Sequence, residues 1–229
     1  MNSKQAKSRI LGFLGQNMGQ AHPIQHLKES LSDLAIFGGM IRDLNLGGPD
    51  SFRSDIDLVS TASSEEIYSL ISEYSPLRNR FGGYRFFFLG RPYDIWSLSD
   101  TWAVREGYVK AEVIEDLCKT TFFTVDAALF DIKRECFYAP KFCRRSIEGK
   151  LLDINLIHNP FPEKMAMKAV DLSIRQGLKM SFELCEFVLS HADLNELNGF
   201  YLDCLINHVN RGVEERFEFL KQLSLELYD

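Results

Sequence analysis

The order of apolar and polar positions divides the chain into two regions. Near the N-terminus, Ile10, Leu11, Phe13, Leu14 and Met18 stand at helical spacing between polar residues, which predicts an amphipathic helix. From Leu34 to Phe142 short apolar runs follow one another: LAIFGG, DIDLVST, YRFFFLG, YDIWSL, TVDAALFDI and CFYAP. They are rich in Ile, Val, Phe and Tyr and are interrupted by Gly and Pro, the punctuation of strands. Between them SSEEIYSLISEYS repeats every three to four residues, with Ser63 or Ser64 as N-cap and acids in the first turn.

From Pro160 onward the strand signals stop. PFPEKMAMKAVDLSIRQG opens with Pro and closes at Gly177, carrying Met165, Ala169, Leu172 and Ile174 on one face. SFELCEFVLSHA, DLNELNGFYLDCLINHVNRG and VEERFEFLKQLSLELYD extend the helical pattern to the end of the chain. The expected fold class is α+β: a mixed-sheet head over residues 1–150 followed by an all-helical unit over residues 151–229.

Composition narrows the function. Hydrophobic residues at 45% and charged residues at 25% fit an ordinary globular chain of 229 residues. A net charge of −6 argues against a protein that binds nucleic acid chiefly by neutralising phosphates, so any such contact has to be local. The five cysteines are odd in number and contain no CxxC, and the five histidines are scattered. Neither set predicts a disulfide framework or a zinc site, and reduced thiols fit a cytoplasmic protein. No apolar run reaches the length of a membrane span, so no membrane association is expected.

The chemistry concentrates in FGGMIRDLNLGG and the RSDIDLVST that follows. Asp55 and Asp57 sit at i and i+2, a spacing that on a strand turns both carboxylates to one face. Two acids on one face suit a divalent cation with oxygen ligands. Gly38 and Gly39 fall where a strand gives way to a helix, so backbone N–H groups there are open to a phosphate. Arg42, on that helix, is placed to take a triphosphate oxygen with its guanidinium, and Asp43 to orient it or cap the turn. Asp94, in YDIW, is a third carboxylate for the same cluster if its run pairs with DIDLV. The arginines of LRNRFGGYRFFFLGR (Arg78, Arg80, Arg85 and Arg91) surround aromatics, a pattern that serves nucleic-acid stacking or a buried strand. The basic KFCRRSIEGK reads as a charged surface turn.

Taken in order, these segments resemble the head of the polymerase beta-like nucleotidyltransferase superfamily, and within it bacterial-type tRNA CCA-adding enzymes and poly(A) polymerases, whose heads carry GGxVRDxLLG followed by DxD. EDLCKTTFFTVDAALFDI is similar to the family's RRDFTINALAYD, with Phe123, Thr124 and Ala127 identical. HNPFPEKMAMKAVDLSIRQGLKMSFEL resembles the neck helix, with Pro160, Ala166, Lys168 and Gly177 in correspondence. The likeness spans roughly residues 34–190. It implies Asp55, Asp57 and Asp94 as ligands of Mg²⁺ or Mn²⁺ and as the catalytic carboxylates. It also implies Gly38, Gly39, Arg42, Asp43 and Lys168 as the nucleotide site, an NTP such as ATP or CTP as donor, and a tRNA-like RNA 3′ end as acceptor.

The departures are specific. Thr120, Thr121 and Phe122 replace the family's Arg-Arg-Asp, and Asp126 replaces its Asn. Pro162 and Met165 replace two arginines of the neck helix, and Glu214-Glu215-Arg216 lacks the spacing of the base-reading motif. The family's body and tail segments are expected to be lacking. Two alternatives follow: a catalytically impaired nucleotide-binding or scaffold module, and a transferase acting on a protein or small molecule, as in toxin-antitoxin or antibiotic-modifying systems. A protein partner or homodimer through the C-terminal helices is a further expectation.

Overall fold

The computed structural model describes residues 3–16, 22–48, 52 and 55–192. Helix α1 (Ser3–Gln16) buries Ala6, Ile10 and Phe13, the i, i+4, i+7 stripe of an amphipathic helix. Helix α2 (His22–Ser30) buries Ile24 and Leu27, and the chain then enters strand β1 (Ala35–Phe37), wholly buried. After helix α3 (Gly39–Leu46) comes strand β2 (Ile56–Ser60), and then helix α4 (Ser64–Ile71). The hydroxyl of Ser63 caps α4 by accepting from the Glu66 N–H at 3.1 Å. Strands β3 (Leu77–Arg78), β4 (Tyr84–Phe88) and β5 (Arg91–Ser97) are followed by a single helical turn, α5 (Trp102–Arg105). Strands β6 (Leu129–Asp131) and β7 (Cys136–Tyr138) lead to helix α6 (Lys141–Glu148) and strand β8 (Leu151–Leu152). Helix α7 (Pro162–Gln176), strand β9 (Lys179–Met180) and helix α8 (Phe182–His191) complete the described chain.

Seven strands form one mixed sheet in the order β3-β4-β5-β2-β1-β6-β7. The pair β2 and β5 is parallel and the other pairs are antiparallel. β1 and β6, on one side of β2, are buried at every residue, whereas β5 and β4 on its other side alternate buried with more open positions. A parallel pair needs a crossover, supplied here by α4 and the β3–β4 hairpin.

Residues 153–155 are tied to the segment that precedes β6. Asn155 N–H donates to Phe122 O at 2.7 Å, Thr124 N–H to Asp153 O at 3.0 Å, and the Asn155 side chain to Cys118 O and Thr121. β8 and β9 form a short parallel pair of their own, so strand pairing does not stop at Pro160 as the pattern suggested. Two residues per strand are too few to show a period.

Two other expectations are corrected. KFCRRSIEGK is a helix rather than a surface turn, entered through Pro140 and closed at Gly149, with Cys143, Ser146 and Ile147 on its buried side. Within TVDAALFDI only Leu129–Asp131 is strand, and Thr124–Asp126 is a 3₁₀ turn. The helices expected beyond residue 192, with Cys204, His208 and Glu214–Arg216, lie outside the described residues.

Cys118, Cys143 and Cys185 are buried and unpaired, and burial raises all three thiols, Cys143 to about 12 and Cys185 to about 11. They are core residues rather than nucleophiles. Among the described residues no helix is long and apolar enough to cross a membrane.

Candidate active site

The sheet register brings the acids together. β2 and β5 run parallel with Asp57 directly beside Asp94, and Asp55 immediately precedes β2. Each of the three offers a carboxylate oxygen within 4.8 Å of the others. Three negative groups this close repel unless a cation lies among them. Burial first, and then the charges of Asp55 and Asp94, push the Asp57 carboxyl well above its usual range. Asp55 is raised as well, by burial and by Asp94. An all-oxygen set of this kind fits a hard divalent ion such as Mg²⁺ or Mn²⁺.

Arg85 supplies the positive charge that the protein itself places here. It lies on β4 directly opposite Asp94 in the antiparallel register with β5. Its Nε donates to Asp94 Oδ1 at 2.7 Å, and its Nη2 to Asp55 Oδ2 at 2.6 Å and also to Asp94 Oδ2. The hydrogen bond to Asp94 is the main reason its guanidinium is held even more firmly protonated than usual. In the sequence Arg85 was one of four arginines among aromatics. Only the β4–β5 register singles it out.

Gly38 adjoins the cluster from the other side. It has φ +71° and ψ −127°, and a Cβ there would stand 3.7 Å from Asp57 Oδ2. That is ordinary contact, so the positive φ rather than lack of space is what calls for glycine. Gly38 is the N-cap of α3, which puts the N-terminal end of that helix next to Asp57.

Arg42 departs from the expectation of a side chain open to a triphosphate. It is buried, with Nε donating to Asp43 Oδ1 at 2.9 Å and Nη1 to Asp126 Oδ1 at 2.5 Å. Asp126 also accepts from Lys168 Nζ at 3.3 Å, and Asp43 from Gln176 Nε2 at 3.3 Å. Burial on its own would raise Asp126, but Arg42 and Lys168 outweigh it and hold the carboxyl below its usual range. Burial dominates at Asp43 and raises it in spite of Arg42. Arg42 therefore fastens α3 to the 3₁₀ turn at Thr124–Asp126. Lys168, half-buried on α7, lies 5.7 Å from the centre of the Phe123 ring. Asp126 was visible in the sequence only as a departure from Asn; its acid form makes sense once two cations converge on it.

No protein-family model matches the chain, and no curated protein matches its sequence. Solved structures match by shape. The Bacillus stearothermophilus CCA-adding enzyme in complex with CTP aligns with a TM-score of 0.55 at 19% identity, over 84% of this chain and 48% of that one. The Thermotoga maritima CCA-adding enzyme complexed with tRNA gives 0.56 at 15%, over 91% and 50%. A structure described as a tRNA-processing enzyme in an apo form gives 0.53 at 20%, over 85% and 51%.

The fold is a nucleotidyltransferase fold. The chain spans about half the length of these structures. In this fold the acid cluster sits where the parallel pair β2–β5 meets the α3 end of the sheet.

Proposed function

We propose that the protein is a metal-dependent nucleotidyltransferase that moves a nucleoside monophosphate from an NTP to an acceptor hydroxyl and releases pyrophosphate. The observation that carries this reading is the Asp55, Asp57 and Asp94 cluster on neighbouring parallel strands, closed on one side by the glycine turn into α3. The three carboxylates would hold Mg²⁺ or Mn²⁺, which neutralises charge developing on the phosphate oxygens and favours ionisation of the acceptor hydroxyl.

The chain's own groups do the remaining work. Backbone N–H groups at the start of α3, next to Gly38 and Gly39, face the triphosphate. Lys168, paired with Asp126, offers a positive charge from α7. Arg42 and Asp43 act as positioning residues that hold α3 in place against Asp126. In the transfer the acceptor oxygen bonds to the α-phosphorus, the bond to the β-phosphate oxygen breaks, and the hydroxyl proton passes to solvent.

For the acceptor we favour an RNA 3′ end of tRNA type and for the donor ATP or CTP. Structural neighbours are complexes with CTP, with ATP and with tRNA, and this supports the choice. We take residues 1–150 as the catalytic head and residues 151–229 as a helical unit, in a cytoplasmic protein.

Arg85, lying across Asp55 and Asp94, favours a second reading: a module that binds nucleotide without turning it over. One experiment separates the two. The protein is incubated with Mg²⁺, each α-labelled NTP and total cellular RNA plus protein, beside Asp55→Ala and Asp57→Ala. A labelled product missing from both variants supports transfer, and its nuclease or protease sensitivity gives the acceptor class. Nucleotide binding without any labelled product supports the second reading.

A further inference from the structure

Beside the acid cluster lies a cavity of about 220 Å³ between the β3–β4 turn, Trp96 and the start of α5. Asp94 and Trp96 are two residues apart on β5 and so face the same way, about 7 Å apart along the strand. This is the span of one ribose between a phosphate and its base.

Three aromatic side chains, Phe81, Trp96 and Trp102, contribute to the wall. The Trp96 indole is fixed by its Nε1–H, which donates to Thr101 Oγ1 at 3.0 Å. Gly83 permits this seating: a Cβ there would come within 2.9 Å of the Trp96 Cβ. Asn79 and Asp100 supply the polar groups. The Asn79 Oδ1 accepts from the N–H groups of Phe81 and Gly83 at 2.9 and 3.1 Å, which leaves Nδ2 as a donor. The Asp100 carboxylate, an acceptor, lies against Gly82.

Next to Phe81, the Arg80 guanidinium lies 5.0 Å from the centre of that ring and 4.1 Å from that of Phe161. Lys164 Nζ lies 4.9 Å from the Phe161 centre. Flat aromatic walls, an adjacent donor and acceptor, and two cations stacked on the neighbouring Phe81 and Phe161 rings are the complement of a nucleobase carried on a phosphate chain.

We propose that this cavity is a nucleobase subsite, stacking a base on Trp96, Phe81 and Trp102 and holding its edge between Asn79 Nδ2 and Asp100. The inference rests on the nucleotidyltransferase reading for its placement beside Asp94. The base belongs either to the NTP or to a nucleic-acid acceptor.

Trp96 and Trp102 are the two tryptophans of the whole chain, so intrinsic tryptophan fluorescence reports on this cavity directly. The full chain is titrated in Ca²⁺ with each NTP, with a short single-stranded RNA and with inorganic tripolyphosphate as a ligand without a base. Base-bearing ligand is expected to quench the emission and tripolyphosphate to leave it unchanged. Quenching by NTP alone identifies the donor base, and quenching by RNA alone the acceptor base. Phe81→Ala and Asn79→Ala are expected to weaken the quenching ligand about 10-fold without changing tripolyphosphate affinity, which titration calorimetry measures. Binding of NTP and RNA without quenching, or unchanged affinity in both variants, would overturn the subsite. Labelled transfer without quenching removes the subsite and leaves the enzyme reading intact. Quenching without transfer does the reverse.

Discussion

Arg85 and Asp94 face each other across β4 and β5, and the guanidinium that joins them also reaches Asp55. The protein thus carries its own counter-charge at the place where a metal would be held. Arg85 is partly open to solvent, so each ion pair is of modest worth. Arg85→Ala is expected to strengthen Mn²⁺ binding about 5- to 10-fold, and Arg85→Lys to fall between the two. A titration followed by electron paramagnetic resonance measures this. Equal affinities in all three proteins would show that Arg85 does not compete for the carboxylates.

Asp57 is held in a conflict that metal would relieve. In chelator, Asp57→Asn is expected to raise Tm by roughly 2–6 °C and to abolish the further rise that Mn²⁺ gives the parent protein. The pH dependence has a definite sign. Because the folded pKa lies above the ordinary value of 3.8, the folded chain keeps a proton that the unfolded chain has lost. Stability in chelator should therefore fall as pH climbs from about 4 through the raised value, and that slope should be missing from Asp57→Asn. Parallel pH profiles for the two proteins would sink the argument.

The opposite sign applies at Asp126. Its carboxyl is held low by Arg42 and Lys168, so its contribution is complete above the ordinary value of 3.8 and is lost as pH falls through the depressed one. Asp126→Asn restores the letter of the resembling family but leaves Arg42 short of a counter-ion, at a cost of about 3 kcal/mol. Urea melts at neutral and acid pH test this. The gap between parent and variant should narrow below about pH 4.

Gly38→Ala is expected to cost about 1–2 kcal/mol. The cause would be the positive φ at Gly38, since the new methyl meets Asp57 at an ordinary distance. Denaturant melts of Gly38→Ala with and without Mn²⁺ separate this strain from any loss at the metal site. A cost that vanished whenever metal was absent would place the effect at the carboxylates instead.

The carboxylate cluster was legible because its information is local: DIDLV is a strand by composition, and the spacing of its acids fixes their relation. Pairing with YDIW could be anticipated because the run ends in the same alternation. The roles of Arg42 and Arg85 were not legible. Arg42 turns inward because Asp126 is acidic, a contact between residues 84 positions apart. Arg85 meets Asp94 through a hairpin register that no periodicity in YRFFFLG reveals. KFCRRSIEGK was misread because its dense charge hid the buried side of the helix, Cys143, Ser146 and Ile147.

The parallel pairing of β2 with β5 also governs how the molecule comes into being. Asp57 and Asp94 become neighbours only after a helix and a hairpin have been laid down between them, and closing that loop is slow compared with forming either piece. Until β2 and β5 pair, Asp94 is not held beside Asp55 and Asp57. A nascent or partly unfolded chain would have no cluster to offer a metal ion, so loading with metal would report that the central sheet is complete.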